Sequence, residues 1–252
     1  ILVIGAGGLG GPLLLYLTAA GVGQIDCIEN DVVDITNLQR QILFSTDDIG
    51  KSKSAAAENR LVSLNPHVQL RFIEKRLTAL NATSLIQGYD LVIDGSDNFP
   101  TRFIVNDCCM LQSIPLISGG ILRFYGMLLG VMPGKTPCYR CVFEHHPPEG
   151  TVPSCSAAGV LGATAGTIGS LMAAEALKFL AGIEKTIMGR LLRIDLLSMD
   201  YRLTDLPENP NCPCCQSYRD KTLSFNPENP DYTAPIALGM FSVKNLQRCR
   251  KS

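Results

Sequence analysis

Two sets of residues have types and spacings that could do chemistry. The first is Gly5-x-Gly7-x-x-Gly10, preceded by the apolar run Ile1-Leu2-Val3-Ile4 and followed by an apolar periodic segment. A chain turning directly from strand to helix needs backbone freedom that glycine supplies. A phosphate approaching the helix N-terminus needs a backbone without Cβ atoms in its way. Glu29, at the end of a strand expected over Gln24 to Ile28, has the spacing of a carboxylate that accepts hydrogen bonds from a ribose. Asn37-Leu38-Gln39-Arg40 then supplies a polar cluster with a cation. These features suit a nucleotide, and up to this point they fit an NAD-dependent oxidoreductase equally well.

The second set is sulfur. Ten cysteines are present, and four form Cys138-x-x-Cys141 and Cys212-x-x-Cys215. Two such pairs are expected to close a tetrahedron of thiolates around a structural zinc ion, with Cys214 a bystander. Cys27, Cys108 and Cys109 stand in apolar surroundings typical of buried thiols. This usage in an α/β chain argues against a secreted disulfide framework and for a reducing, cytoplasmic compartment.

The elements that must position these groups alternate strand and helix. A helix is expected over about Gly8 to Ala20, ending at Gly21. Ser45-Thr46-Asp47-Asp48 offers caps for helical sequence running through Lys51, Lys53 and Arg60 to Pro66. Val68 to Ile73 reads as a strand, Asn81 to Gln87 as a short helix, and Tyr89 to Asp94 as a buried strand delivering Gly95-Ser96-Asp97-Asn98. Ligands of open α/β sheets sit beyond the carboxyl ends of the strands, so Asp97 and the glycine turn should face one crevice. A helix over Phe99 to Gln112 and strands over Pro115 to Gly119 and Gly126 to Met132 follow. Lys135 to Ser154 reads as an irregular, partly mobile crossover.

Residues 156–174 carry no charge. They are rich in Gly, Ala, Ser and Thr and run into Glu175-Ala176-Leu177-Lys178, which predicts a buried or subunit-interface helix rather than a membrane span. Arg190 to Leu197 reads as the final strand. The expected fold class is therefore α/β, a Rossmann-like, doubly wound, mostly parallel sheet with a structural zinc site. One domain is expected over residues 1–216, followed by a tail, 217–252, without clear periodicity.

With 252 residues, 46% hydrophobic, the chain can bury one substantial core. Its net charge of −1 gives no reason to expect a nucleic acid or a membrane surface as partner. Residue 1 is an Ile inside a strand, so an upstream segment, with any targeting peptide, is expected to precede it.

Taken together, Gly5-x-Gly7-Gly8-Leu9-Gly10, Asn37-Leu38-Gln39-Arg40-Gln41, Gly50-Lys51-Ser52-Lys53, Asp97-Asn98-x-x-x-Arg102, Pro137-Cys138-Tyr139-Arg140-Cys141 and Asn209-Pro210-x-Cys212-x-x-Cys215 resemble the MoeB/ThiF family, relatives of ubiquitin-activating enzymes. The resemblance implies an adenylyltransferase that activates the C-terminal glycine carboxylate of a ubiquitin-like sulfur carrier ending in Gly-Gly, of the kind serving molybdopterin or thiamine biosynthesis. ATP would fill the crevice, with Glu29 on its ribose, Arg40 and Lys53 on its phosphates and Asp97 on magnesium. Asn37, Gln39, Asn98 and Arg102 match family motif positions as supporting groups. Cys155 matches the place where some members carry the cysteine that takes the activated acyl group as a thioester or persulfide, while in other members a separate sulfur donor consumes the adenylate. A sulfur donor protein and a homodimer are implied, the partner subunit lending a basic residue from the segment that would precede Ile1.

Physical chemistry favours the same roles. A carboxylate attacking an α-phosphate brings anion to anion, so fixed cations and a metal-holding acid are needed, and hydride transfer has no such need. The alternatives are a relative activating another carboxylate or a tRNA base, an NAD-dependent oxidoreductase, and a non-catalytic scaffold.

Overall fold

The computed structural model describes residues 1–145 and 159–233. Eight strands form one sheet in the order β3-β2-β1-β4-β5-β6-β7-β8. The first five are β1 (Leu2–Ile4), β2 (Gln24–Ile28), β3 (Gln69–Ile73), β4 (Val92–Asp94) and β5 (Leu116–Leu122), and they run parallel. Then β6 (Tyr125–Val131), β7 (Arg190–Asp195) and β8 (Asp200–Asp205) extend the sheet in antiparallel fashion. The expected mostly parallel, doubly wound sheet is therefore present. Its strand order reverses between β1 and β4, where a crevice must open at the strand tips.

Continuous apolar runs make the central strands, because helices cover both faces. On one face Val3, Ile25, Ile93, Ile117 and Leu128 pack under α1 (Gly10–Ala19), α2 (Lys53–Leu64) and α6 (Gly162–Leu180). On the other, Leu2, Ile4, Val92, Leu116 and Leu129 meet α3 (Ala82–Ile86) and α4 (Phe99–Gln112), with α5 (Tyr139–Val142), α7 (Pro213–Arg219) and α8 (Pro230–Thr233) behind them. Within the uncharged stretch, residues 162–174 form the first part of α6, packed on α1, β5 and β6. No helix among the described residues is long and apolar enough to cross a membrane.

Two expectations need correction. The segment from Ser45 is not one helix: Thr46–Asp48 is a single 3-10 turn, and α2 starts afresh at Lys53 under the Ser52 hydroxyl, which accepts from the Ala55 N–H. Gly50 separates them with φ +83, a left-handed conformation that interrupts a helix and favours glycine. Nor is Arg190–Asp195 the last strand, because β8 follows it around a tight turn. Its Asp200-Tyr201-Arg202-Leu203 alternation is that of an exposed edge strand, and Tyr201 and Leu203 are both about half exposed at 50% and 52%.

Residues 217–233 of the tail pack onto the domain, with Tyr218, Leu223, Phe225 and Tyr232 against its core. Asp231 and Tyr232 are buried, the Tyr232 hydroxyl donating to Asp107 Oδ2 at 2.5 Å and Arg140 Nη1 donating to Asp231 Oδ2 at 2.5 Å.

Candidate active site

The first turn of α1 is built so that backbone can approach a ligand. Gly5 adopts φ +87, which turns the chain out of β1, and a Cβ on Gly10 would run into the Gly5 carbonyl oxygen. Gly10 thus serves close packing of turn and helix, while Gly5, Gly7 and Gly8 line a cleft of about 440 Å³. No side chain caps α1; the Gly11 N–H donates to the Gly7 carbonyl at 2.8 Å and Pro12 has no N–H, so of its first turn only Gly10 has an N–H left to offer a ligand beside those of the glycine turn.

Glu29 stands at the tip of β2, buried beneath the turn. Its Oε2 accepts from the Ala6 N–H at 2.9 Å, and its Oε1 from the N–H groups of Asn30 at 2.8 Å and Asp31 at 2.9 Å. Three of the carboxylate's roughly four acceptor positions are occupied by backbone, leaving one on Oε2 for a ribose hydroxyl. Glu29 therefore also laces the glycine turn to the loop after β2, a duty its spacing alone did not reveal.

Arg40 and Lys53 supply the positive charge. Arg40 is held by Nη1 donating to the Thr36 carbonyl at 3.1 Å and Nη2 to Asn37 Oδ1 at 3.0 Å. Gln41 Nε2 also donates to Asn37 Oδ1, at 3.2 Å, so Asn37 acts as the bracket for this loop. Lys53, nearly buried at the start of α2, donates to Asp31 Oδ2 at 2.5 Å. Burial works against the Asp31 carboxylate, yet hydrogen bonds from Lys53 and the Val32 N–H prevail and hold its carboxyl below the ordinary range. Asp31 is two-thirds exposed, so this pair aims the ammonium rather than stabilising the fold.

The opposite wall is the turn after β4. Asn98 Oδ1 accepts from the Thr101 N–H at 3.0 Å and caps α4. Arg102, buried, donates through Nη2 to the Ser96 carbonyl at 2.6 Å. Asp94 Oδ1 accepts from the Ser96 N–H at 2.9 Å, and its Oδ2 from the Ser118 hydroxyl at 3.3 Å. Complete burial pushes the Asp94 carboxyl up, against the pull of Arg102, Ser96 and Ser118. Asp97 follows on this turn, exposed at the cleft rim.

Glu29, Asn37, Arg40, Lys53, Asp97, Asn98 and Arg102 all line the same cleft. Gln39, exposed on its loop, and Gly10 do not. Sequence reasoning passed over Lys75 and Arg76, which stand just beyond β3 and close the cleft's far side. Their signal was position: they follow a strand whose carboxyl end opens on the same crevice. Cys155 lies outside the described residues.

The four sulfurs of Cys138, Cys141, Cys212 and Cys215 lie within 4.8 Å of one another. Individual separations are 3.9 Å for Cys138 to Cys141, 3.7 Å for Cys138 to Cys212 and 3.5 Å for Cys141 to Cys215. A tetrahedron with zinc–sulfur bonds of about 2.3 Å has edges of about 3.8 Å, so the donor set fits that ion. Cys214 is buried outside the group, and Cys27, Cys108 and Cys109 are buried as expected.

Sheet order, reversal point and glycine turn define a Rossmann-like, doubly wound α/β protein. Within that class the chain belongs to the ThiF family, whose model matches residues 1–214. Among its curated relatives are a sulfur carrier protein adenylyltransferase of Thermus thermophilus, 48% identical over 220 residues, covering 85% of this chain and 81% of the relative, and a SAMP-activating enzyme E1 of Haloferax volcanii, 42% identical over 215 residues, covering 85% and 79%. Of solved structures, Escherichia coli MccB with MccA-N7isoASN is similar in fold, with TM-score 0.75 and 24% identity over 85% of this chain and 66% of MccB.

Proposed function

We propose that the protein uses ATP to adenylate the C-terminal glycine carboxylate of a ubiquitin-like sulfur carrier. The reading is carried by one observation: a glycine turn, two cations and an exposed acid converge on a single cleft at the strand tips. One carboxylate oxygen of the carrier attacks the α-phosphorus of ATP and forms an acyl-phosphate anhydride. The bond from the α-phosphorus to the bridging oxygen breaks, and pyrophosphate leaves with the electron pair.

The N–H groups of the glycine turn, through Gly10, donate to phosphate oxygens, and Glu29 accepts from a ribose hydroxyl. Arg40 and Lys53 offset the repulsion between the incoming carboxylate and the phosphates, and they stabilise the negative charge gathering on pyrophosphate. Asp97 would hold magnesium, which when bound neutralises phosphate charge. Asn37, Asn98 and Arg102 keep these groups in place. The four-cysteine cluster would hold zinc, closed by its four thiolates and so structural.

Cys155 is assigned the following step, in which its thiolate attacks the acyl carbonyl, forms a thioester and releases AMP. Homodimerisation, a sulfur donor protein and a cytoplasmic location complete the reading.

The test is ATP–pyrophosphate exchange with candidate carriers, with and without their last two glycines. Exchange that requires the Gly-Gly end is the expected result. Exchange driven by an unrelated peptide instead would transfer the reading to another carboxylate. Cys155→Ala should leave exchange intact and abolish acyl transfer, and full sulfur transfer by that variant would remove the thioester step.

A further inference from the structure

Arg40 lines the cleft, yet among the described residues the hydrogen bonds of its side chain are all local, to the Thr36 carbonyl at 3.1 Å and to Asn37 Oδ1 at 3.0 Å. Its N–H donates to the Asn37 carbonyl at 3.0 Å, within the same turn. These bonds fix the guanidinium within its loop, and packing must fix the loop over the cleft.

That packing comes from two glycines. A Cβ on Gly8, in the glycine turn, would stand 3.6 Å from Arg40 Cγ and from the Arg40 carbonyl oxygen, and 3.4 Å from the Ala165 methyl of α6. A Cβ on Gly162, the first residue of α6, would lie 2.3 Å from the Gln39 carbonyl oxygen and 3.3 Å from Arg40 Cα. The first of these is far inside van der Waals contact, so any side chain at 162 must push something aside.

The start of α6 is not free to move. The Leu161 N–H donates to the Arg123 carbonyl at 3.1 Å, and the Thr164 hydroxyl donates to the same oxygen at 3.3 Å. Further along, Ile168 and Met172 fill the space that side chains at Gly126 and Gly119 would take, their atoms 2.4 Å and 2.3 Å from where those Cβ atoms would stand. The helix is thus keyed to β5 and β6, whereas Gln39 is exposed on a loop. It is the loop that gives way.

We propose that Gly162 is a positioning residue for Arg40: its missing side chain lets α6 seat against the Gln39 carbonyl and hold the Arg40 guanidinium at the nucleotide's phosphates. The inference rests on the assignment of Arg40 to those phosphates. It also gives Gln39, which does not line the cleft, a part in the site through its backbone.

Gly162→Ala adds one methyl and leaves every side chain of the cleft in the protein. Affinity for magnesium–ATP and for adenosine should be measured in wild type, Gly162→Ala, Arg40→Ala and the double variant, beside the thermal midpoint of each. Gly162→Ala is expected to bind ATP about tenfold more weakly, the scale of a hydrogen bond from a charged donor. Adenosine, which keeps base and ribose but has no phosphate, should bind within about twofold of wild type. In the Arg40→Ala background the same methyl should change ATP affinity by less than about twofold, because the group it displaces is gone. Ala165→Gly, which withdraws the methyl behind Gly8, should give the same pattern at smaller size and serves if Gly162→Ala folds poorly. Where Arg40→Ala weakens ATP, a Gly162→Ala protein that binds ATP as the wild type does, loses adenosine equally, or loses as much ATP affinity again without Arg40 overturns the proposal and leaves the phosphate assignment standing. An Arg40→Ala protein that binds ATP as the wild type does overturns that assignment itself, and the role of Gly162 with it.

Discussion

Lys53 and Arg40 show what a single charged group must do here. Lys53 is buried yet lines the cleft, and Asp31 steadies its ammonium. Replacing it with Ala deletes a charge that counts most as pyrophosphate departs, so the rate constant for exchange should fall by about 10²–10³. The partner left behind, Asp31, is solvated, so the thermal midpoint should shift by only a few degrees at most. A fall in rate under tenfold would mean that the ammonium does not meet the phosphates. The motif Asn37 to Arg40 made Arg40 legible, because a cation beside a glycine turn is chemically conspicuous. Lys75 and Arg76 were not legible, since two charges after a strand are ordinarily solvated, and only the fold brings them to the cleft. The double duty of Glu29 was likewise hidden, because its backbone partners, Ala6 above all, are distant in sequence or have no side-chain signature.

The strand–turn–helix at the N-terminus was legible because local demands and tertiary demands coincide there. The same glycines that turn the chain also admit backbone contact. Gly169 is a case where they do not coincide. It lies mid-helix in α6, where glycine costs helix stability, and a Cβ there would meet Pro12 and the Leu9 carbonyl oxygen. Its absence of a side chain lets α6 cross α1 closely. Gly169→Ala should therefore destabilise the protein by about 1–3 kcal/mol despite the better helix propensity, measured by urea unfolding. A stabilised variant would show the helices able to part at no cost.

A second element-scale prediction concerns β2 and β3. Asp26, buried on β2, accepts from the Tyr89 hydroxyl at 2.5 Å, from Arg71 on β3, and from Gln24 at 3.2 Å. Burial opposes its ionisation, but these three donors outweigh it and leave the carboxyl lowered. A lowered carboxyl contributes stability that is complete above its unfolded value near 3.9 and is lost as pH falls through the folded value. Asp26→Asn should thus cost about 2 kcal/mol at pH 7, with the gap to wild type narrowing below about pH 4. A gap that stays constant down to pH 3 would show that the charge is not what ties the two strands together.

At the scale of the whole molecule, the C-terminal region is fastened to α4 by two devices that share one short segment. Cys138 and Cys141 bracket Tyr139-Arg140, and the cysteine cluster joins that segment to Cys212 and Cys215. Arg140 fixes it from the other side: Nε donates to Asp107 Oδ1 at 2.8 Å, Nη2 to Asp107 Oδ2 at 2.7 Å and Nη1 to Asp231 Oδ2 at 2.5 Å, with its guanidinium 4.6 Å over the Phe103 ring. Burial opposes the charge on Arg140, but the carboxylates on either side raise its pKa, so the guanidinium stays charged at any ordinary pH. Asp231 and Tyr232 lie beyond the residues that the family model matches, 1–214, so this chain adds its second fastening from outside the shared domain. Neither the pairing of Arg140 with Asp231 nor the docking of α8 was legible, because the prolines around it obscure periodicity and the contact spans 91 positions. Either device alone should keep Tyr139-Arg140 on α4, and so losing both should cost more than the sum of losing each. The measurement is a cycle of urea midpoints: wild type, Asp231→Asn, metal-chelated wild type and metal-chelated Asp231→Asn. A coupling of about 1 kcal/mol or more beyond additivity is expected for elements that hold the same residues. Strict additivity would mean that the cysteine cluster and the Arg140 cluster secure different parts of the chain.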